Sequence, residues 1–78
     1  MKKTPLAKRL GNLIRKLRLE AGLSQEEFAE RCGVHRTYAG CIERGEKTIT
    51  IETADKVAQA LGLSLAQLFK KLENDNPS

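Results

Sequence analysis

Aromatic residues are scarce in this chain of 78 residues, which contains two phenylalanines, one tyrosine and no tryptophan. Proteins that bind single-stranded nucleic acid stack its bases on aromatic side chains, so no platform of that kind is expected here. Long apolar runs are missing as well, because the longest uncharged stretch covers residues 57–69 and is too short to span a bilayer. A membrane protein and a single-strand binder are therefore both disfavoured.

Cysteine and histidine are equally rare, with two cysteines and one histidine. Cys32, His35 and Cys41 offer three metal ligands at most, whereas a structural zinc site needs four. No acidic residue is placed to orient His35 against a cysteine nucleophile, so an enzyme is not indicated. We therefore expect no metal, no cofactor and no catalytic activity, with redox sensing through an exposed Cys41 as an open alternative.

An uninterrupted apolar segment of the kind that signals secretion is also absent near the N-terminus. Arg15, Lys16 and Arg18 interrupt the apolar residues that such a signal would need. The expected location is therefore the cytoplasm, a reducing compartment in which the two cysteines stay as free thiols.

Positive charge is concentrated at the start of the chain. The sequence has 14 Lys and Arg against 10 Asp and Glu, a formal net charge of +4, and residues 1–18 contain no acid. Residues 1–5 are predicted to form a basic arm in which Lys2 and Lys3, together with Arg9, strengthen binding to a polyanion; a plain solvated surface is the alternative. Such a basic surface favours nucleic acid or acidic lipid as the partner.

Apolar residues recur every three or four positions and predict an all-α fold of five short helices. Residues 6–73 form one domain, and residues 74–78 are predicted to be a disordered tail. Ser24 and Ser64 each have Glu or Gln three residues later, which is the capping-box pattern. The predicted caps and stops are Thr4 with Pro5 and Gly22, Ser24 and Gly33, His35 and Gly45, Thr50 and Gly62, and Ser64.

The second and third helices are predicted to form a helix-turn-helix. Small apolar residues at Ala29, Val34 and Ile42 would let the two helices cross closely, and Gly33 permits the tight turn between them. The rest of the third helix then projects outward, and a helix of this size fits the major groove of DNA. The residues expected on this outward face are Arg36, Thr37, Gly40, Cys41 and Arg44.

Four sequence runs resemble the Cro/C1-type (XRE) family of helix-turn-helix regulators. They are RLEAGLSQEEFA at 18–29, GVHRTY at 33–38, IERG at 42–45 and IETADKVAQALGLSL at 51–65. The resemblance spans about residues 6–70 and is greatest to controller proteins of restriction–modification systems. It implies a lambda-repressor-like five-helix domain that regulates transcription by binding double-stranded DNA in bacterial or phage cytoplasm, at the nucleoid.

Individual roles follow from this resemblance. Gln25 would hydrogen-bond a phosphate, Arg36 would grip guanine, and Thr37 would offer its methyl group to thymine. Arg18 and Glu43 would form an internal ion pair. The DNA-binding set that the resemblance implies is Ser24, Gln25, His35, Arg36, Thr37, Tyr38, Gly40, Cys41, Arg44 and Lys47.

Three of these positions carry a qualification. Tyr38 could equally pack under the second helix, and His35 is expected to cap the third helix poorly, because Ser, Thr and Asp are preferred there. Gly40 stands where relatives usually have a serine, so it either lets the helix approach DNA closely or leaves a weak point.

The last helix has more apolar surface than one short helix can bury. We therefore predict a homodimer interface formed by Leu63, Leu65, Phe69 and Leu72. Such a dimer would place two recognition helices one DNA turn apart and read a palindromic operator. A regulator that activates would also contact RNA polymerase. The alternative function is an antitoxin-like or adaptor module whose main partner is a protein.

Overall fold

The computed structural model describes residues 6–75, which form five helices and no strand. The all-α prediction is therefore confirmed. Among these residues no helix is both long enough and apolar enough to cross a membrane. The predicted cap at Thr4 and Pro5 and the basic arm lie outside the described residues. The helices are α1 Leu6–Glu20, α2 Gln25–Cys32, α3 Arg36–Glu43, α4 Ile51–Ala60 and α5 Leu65–Asn74.

Side chains cap the helices where the sequence predicted them. The Ser24 hydroxyl accepts a 3.0 Å hydrogen bond from the backbone amide of Glu27. In return, the Glu27 carboxylate accepts a 2.8 Å hydrogen bond from the backbone amide of Ser24. Ser64 and Gln67 repeat this capping box in α5, and Thr50 caps α4. These bonds satisfy backbone donors that the first turn of a helix leaves without partners.

His35 caps α3, contrary to our expectation. Its Nδ1 accepts the backbone amide of Thr37 at 3.0 Å. The bond therefore uses the lone pair of Nδ1 as the acceptor. The imidazole therefore replaces the usual hydroxyl or carboxylate at this position.

Two apolar clusters form the core. The first cluster contains residues of α1, α2, α3 and α4, and its largest fully buried side chains are Ile14, Phe28 and Val57. The second cluster joins α1, α4 and α5. Its buried members are Leu13, Ala58, Leu68 and Leu72.

Helix α1 crosses the last turn of α3 at Gly11. A Cβ atom at this position would collide with the backbone carbonyl of Ile42 and would lie 2.6 Å from that of Glu43. Only glycine allows two backbones to approach this closely. The contact fixes the C-terminal end of α3 against the body of the domain.

The predicted ion pair between α1 and α3 is present and buried. Arg18 donates from Nε to Glu43 Oε2 at 2.6 Å and from Nη2 to Oε1 at 3.1 Å. The two residues are only 7% and 4% exposed. Arg18 also donates to the carbonyl of Leu23 at 2.9 Å, so one guanidinium joins α1, α3 and the segment before α2.

The C-terminal boundary differs from the prediction. Asn74 is the last residue of α5, and the Asp75 carboxylate accepts a 3.0 Å bond from Lys16. The helix thus extends one residue past the predicted domain boundary at residue 73, and Asp75 follows it as the C-cap. Arg9, which we grouped with the basic arm, lies in α1 and donates to the carbonyl of Leu72 at 3.3 Å.

Replacing Arg18 by leucine is expected to lower the free energy of unfolding by about 3–5 kcal/mol, because Glu43 would keep a buried charge without a partner. The double substitution Arg18→Leu, Glu43→Leu should recover much of this loss. Urea denaturation followed by circular dichroism measures both effects. Lys16→Leu, which breaks an exposed ion pair, is the control and should change stability far less. Equal losses for Arg18→Leu and Lys16→Leu would contradict the assignment.

Candidate nucleic-acid interface

The turn between α2 and α3 has the geometry that the sequence predicted. Gly33 ends α2 in the left-handed region, with φ 74°. The Val34 amide then donates back to the carbonyl of Ala29 at 3.0 Å. Ala29 and Ala39 are both buried, so small side chains lie on the facing sides of the two helices. This arrangement is a helix-turn-helix.

Helix α3 has one buried side and one exposed side. Ala39 and Ile42 are buried in the first cluster, whereas Arg36 and Thr37 in the first turn are exposed. Within residues 6–75 no hydrogen bond or ion pair engages the side chain of Arg36 or Thr37. The arginine fork and the threonine methyl and hydroxyl groups are therefore available to a ligand, as the edge of a base pair would require.

Gln25 stands at the first position of α2 and is half-buried. Its Nε2 donates to Glu43 Oε1 at 3.2 Å, so the buried ion pair also holds this carboxamide. A carboxamide nitrogen has a second proton, which this bond leaves unused. Together with the backbone amides at the start of α2, that proton suits an anion such as phosphate.

Gly40 does not project outward, so that part of our expectation is wrong. The residue is buried, because the side chains of Gln25 and Arg44 cover the place where a side chain would stand. The exposed surface of α3 therefore belongs to residues on either side of Gly40.

Arg44 follows α3 directly and forms an ion pair with Glu46. It donates to both carboxylate oxygens of Glu46, at 2.8 and 3.2 Å, and lies 3.6 Å from Cys41 Sγ. The hydrogen bond from Arg44 lowers the pKa of Glu46. The two residues are two apart in a turn, outside any helical spacing, so no sequence pattern indicated the pair. Lys47 beyond them is exposed.

The remaining candidates on α3, Tyr38 and Cys41, are only partly accessible. Tyr38 packs against the first cluster, which agrees with the packing alternative. Cys41 is half-buried and Cys32 is buried. Among the described residues, no three His, Cys, Asp or Glu side chains come together as metal ligands.

A second surface, the apolar groove, lies beside the end of α3. It has a volume of about 410 Å³, and Leu6, Ile49, Ile51 and Phe69 line it together with Lys47. Leu6 and Ile51 are each 61% exposed. The sequence contains a signal for this groove, because Ile49 and Ile51 flank the cap residue Thr50. Apolar residues at the start of a helix have few neighbours on the same helix to pack against.

The predicted dimer residues are divided by the structure. Phe69 and Leu72 both line the apolar groove, although Leu72 is only 8% exposed and is also a buried member of the core. Leu63 packs against the second apolar cluster, and Leu65 is half-buried.

An exposed helix that packs on α1 and α2 and follows α2 after a tight turn defines this protein as a helix-turn-helix domain. A family model described as "Helix-turn-helix" matches residues 14–68. The control protein C.MunI from Mycoplasma sp is 38% identical over 68 residues, which cover 86% of this chain and 92% of that protein. The chain belongs to the helix-turn-helix family of DNA-binding transcriptional regulators, of the Cro/C1 type.

Solved structures agree with this assignment. The clp gene regulator ClgR from Corynebacterium glutamicum matches with a TM-score of 0.87 and 30% identity, covering 95% of this chain and 79% of that one. A variant of C.Esp1396I bound to its highest affinity operator site matches with a TM-score of 0.84 and 29% identity, covering 94% of this chain and 96% of that one.

The two cysteines should react at very different rates with iodoacetamide. Burial raises the pKa of Cys32 to about 11, so its thiolate is scarce at pH 8, whereas Cys41 is partly accessible. We expect Cys41 to be alkylated at least about tenfold faster, as measured by mass spectrometry of tryptic peptides. Cys41→Ser serves as the control that isolates Cys32. Equal rates in the native protein would contradict the burial of Cys32.

The same pKa shift has a consequence for stability. The unfolded thiol ionises at its ordinary value near 9.0, before the folded one. Stability should therefore fall as the pH rises from about 9 towards 11.

Proposed function

We propose that this protein is a dimeric, sequence-specific regulator of transcription that reads a palindromic operator with α3 in the major groove of double-stranded DNA. In this proposal Arg36 and Thr37 contact base edges. Gln25, Arg44 and Lys47 contact phosphates and fix the register of the helix.

One observation carries the proposal. Arg36 and Thr37 stand exposed at the start of α3, while the opposite side of the same helix is buried. In a helix-turn-helix, the N-terminal residues of the second helix are the ones that reach the base edges. An arginine there can donate two parallel hydrogen bonds to guanine, which discriminates among base pairs.

We assign the apolar groove to a second copy of this chain. No acidic residue lines the groove, and its one cation, Lys47, also borders the DNA-binding surface. Two copies joined through the groove would thus keep their DNA surfaces adjacent. A domain of this size also gains stability from the apolar burial that a dimer provides.

The similarity to control proteins suggests the biological setting. The relatives C.MunI and C.BamHI are named control proteins, and C.Esp1396I is named a restriction–modification controller. We therefore propose that this chain controls genes of a restriction–modification system in the cytoplasm. An activating role would add RNA polymerase as a partner.

Substitutions at Arg36 and Gln25 should separate base reading from phosphate binding. We expect Arg36→Ala to weaken operator binding by roughly 1–3 kcal/mol and to relax the preference at one base pair. Gln25→Ala should weaken operator and random duplexes to a similar extent. The operator is first selected from random duplex DNA, and affinities are then measured by fluorescence anisotropy at fixed salt.

Lys56→Ala is the control, because it removes one positive charge from α4, away from α3. It should have a smaller effect than either substitution. If Arg36→Ala weakens operator and random DNA equally, the base-reading role is wrong. If duplex DNA is bound without any sequence preference, the proposed function is wrong and the adaptor alternative gains support.

Placing a charge in the apolar groove should break the dimer. We expect Ile51→Glu to shift the protein to monomers of 8.7 kDa at micromolar concentration, because the dimer would have to bury two carboxylates. Sedimentation velocity measures this shift. Leu19→Glu is the matched control, since Leu19 is 52% exposed and lies outside the groove. A wild-type protein that sediments as a monomer, or equal effects of both variants, would contradict the assignment.

A further inference from the structure

Gly40 is an interior residue of the recognition helix. Glycine there destabilises a helix relative to alanine, because it has more conformational freedom to lose on folding. The φ angle of Gly40 is an ordinary helical one, so the backbone does not require glycine. Some other constraint must account for the missing side chain.

Two functional side chains occupy the space above Gly40. A Cβ atom there would lie 3.1 Å from Arg44 Nη1 and 3.3 Å from Gln25 Oε1. Both distances are shorter than ordinary van der Waals contact. The ends of the guanidinium and the carboxamide therefore both lie over Gly40, and a side chain there would require each of them to shift by a few tenths of an ångström.

Both of these side chains are tethered. Gln25 donates to Glu43 at 3.2 Å, and Glu43 is itself fixed by its bonds to Arg18. Arg44 donates twice to Glu46. A side chain at position 40 would therefore shift the ends of two groups that already make hydrogen bonds.

We propose that Gly40 is a positioning residue for DNA binding, which holds the Gln25 carboxamide and the Arg44 guanidinium together over α3. The inference rests on the proposed function, since both groups are assigned there to phosphates. They come from different elements, α2 and the end of α3, so the space over Gly40 sets the distance between them. Alanine at position 40 favours the helix through its better propensity but shifts the two contacts, and a larger residue shifts them further.

The experiment is a series at this position, Gly40→Ala and Gly40→Leu. We expect the melting temperature of Gly40→Ala to rise by roughly 3–6 °C. Its affinity should fall by roughly threefold to tenfold, and that of Gly40→Leu should fall further. Because phosphate contacts carry no sequence information, the loss should be alike for the selected operator and for a random duplex of equal length.

Asn12→Ala is the matched control, because Asn12 is an exposed interior residue of α1. It should raise the melting temperature by a better helix propensity and leave the affinity unchanged. All affinities are measured well below the melting temperature of each variant, so a folding defect cannot imitate the predicted loss.

A double-mutant cycle tests whether Gly40 acts through its neighbours. If Gly40→Ala displaces Arg44, the same change in an Arg44→Ala background should cost less affinity than it does alone. Losses that simply add, or a Gly40→Ala variant that binds as tightly as the wild type, would overturn the inference while leaving the proposed function intact. A wild-type protein that binds no duplex would overturn both.

Discussion

The structure depends most on the buried carboxylate of Glu43. A charge with so little exposure is costly unless every oxygen has a partner, and here Arg18 and Gln25 provide the partners. Because these groups come from α3, α1 and α2, satisfying one carboxylate fixes three helices relative to one another. The same interaction therefore orients the recognition helix and one of the groups proposed to hold phosphate.

The recognition helix depends on the rest of the domain for its stability. It has only eight residues, and isolated helices of that length are marginal in water. Its stability comes from Ala39 and Ile42 in the core, from the close contact with α1 at Gly11, and from the imidazole cap at His35. These contacts use its inner side and its two ends. The side chains of Arg36 and Thr37 in its first turn make none of these contacts, so they are available to bind a ligand.

Charge and apolar surface meet at the end of α3. Arg44 is already paired with Glu46 in the free protein, so its contact with a phosphate would be an exchange of one anionic partner for another. Exposed pairs of this kind are weak and are screened by salt, which makes such an exchange inexpensive. The apolar groove begins at the next cation along the chain, Lys47. DNA binding and self-association are thus proposed for neighbouring parts of one surface.

Local chemistry in the sequence determined the five helices and most of their ends, because caps such as Ser24 and turns such as Gly33 act over three or four residues. The family resemblance added the Arg18–Glu43 pair, which no local pattern reveals. Only the tertiary structure decided that Gly40 is covered, that Leu72 belongs to the core, and that Leu6 and Ile51 share a groove. Each of these depends on how separate helices approach one another, and that approach is set by packing across the whole domain.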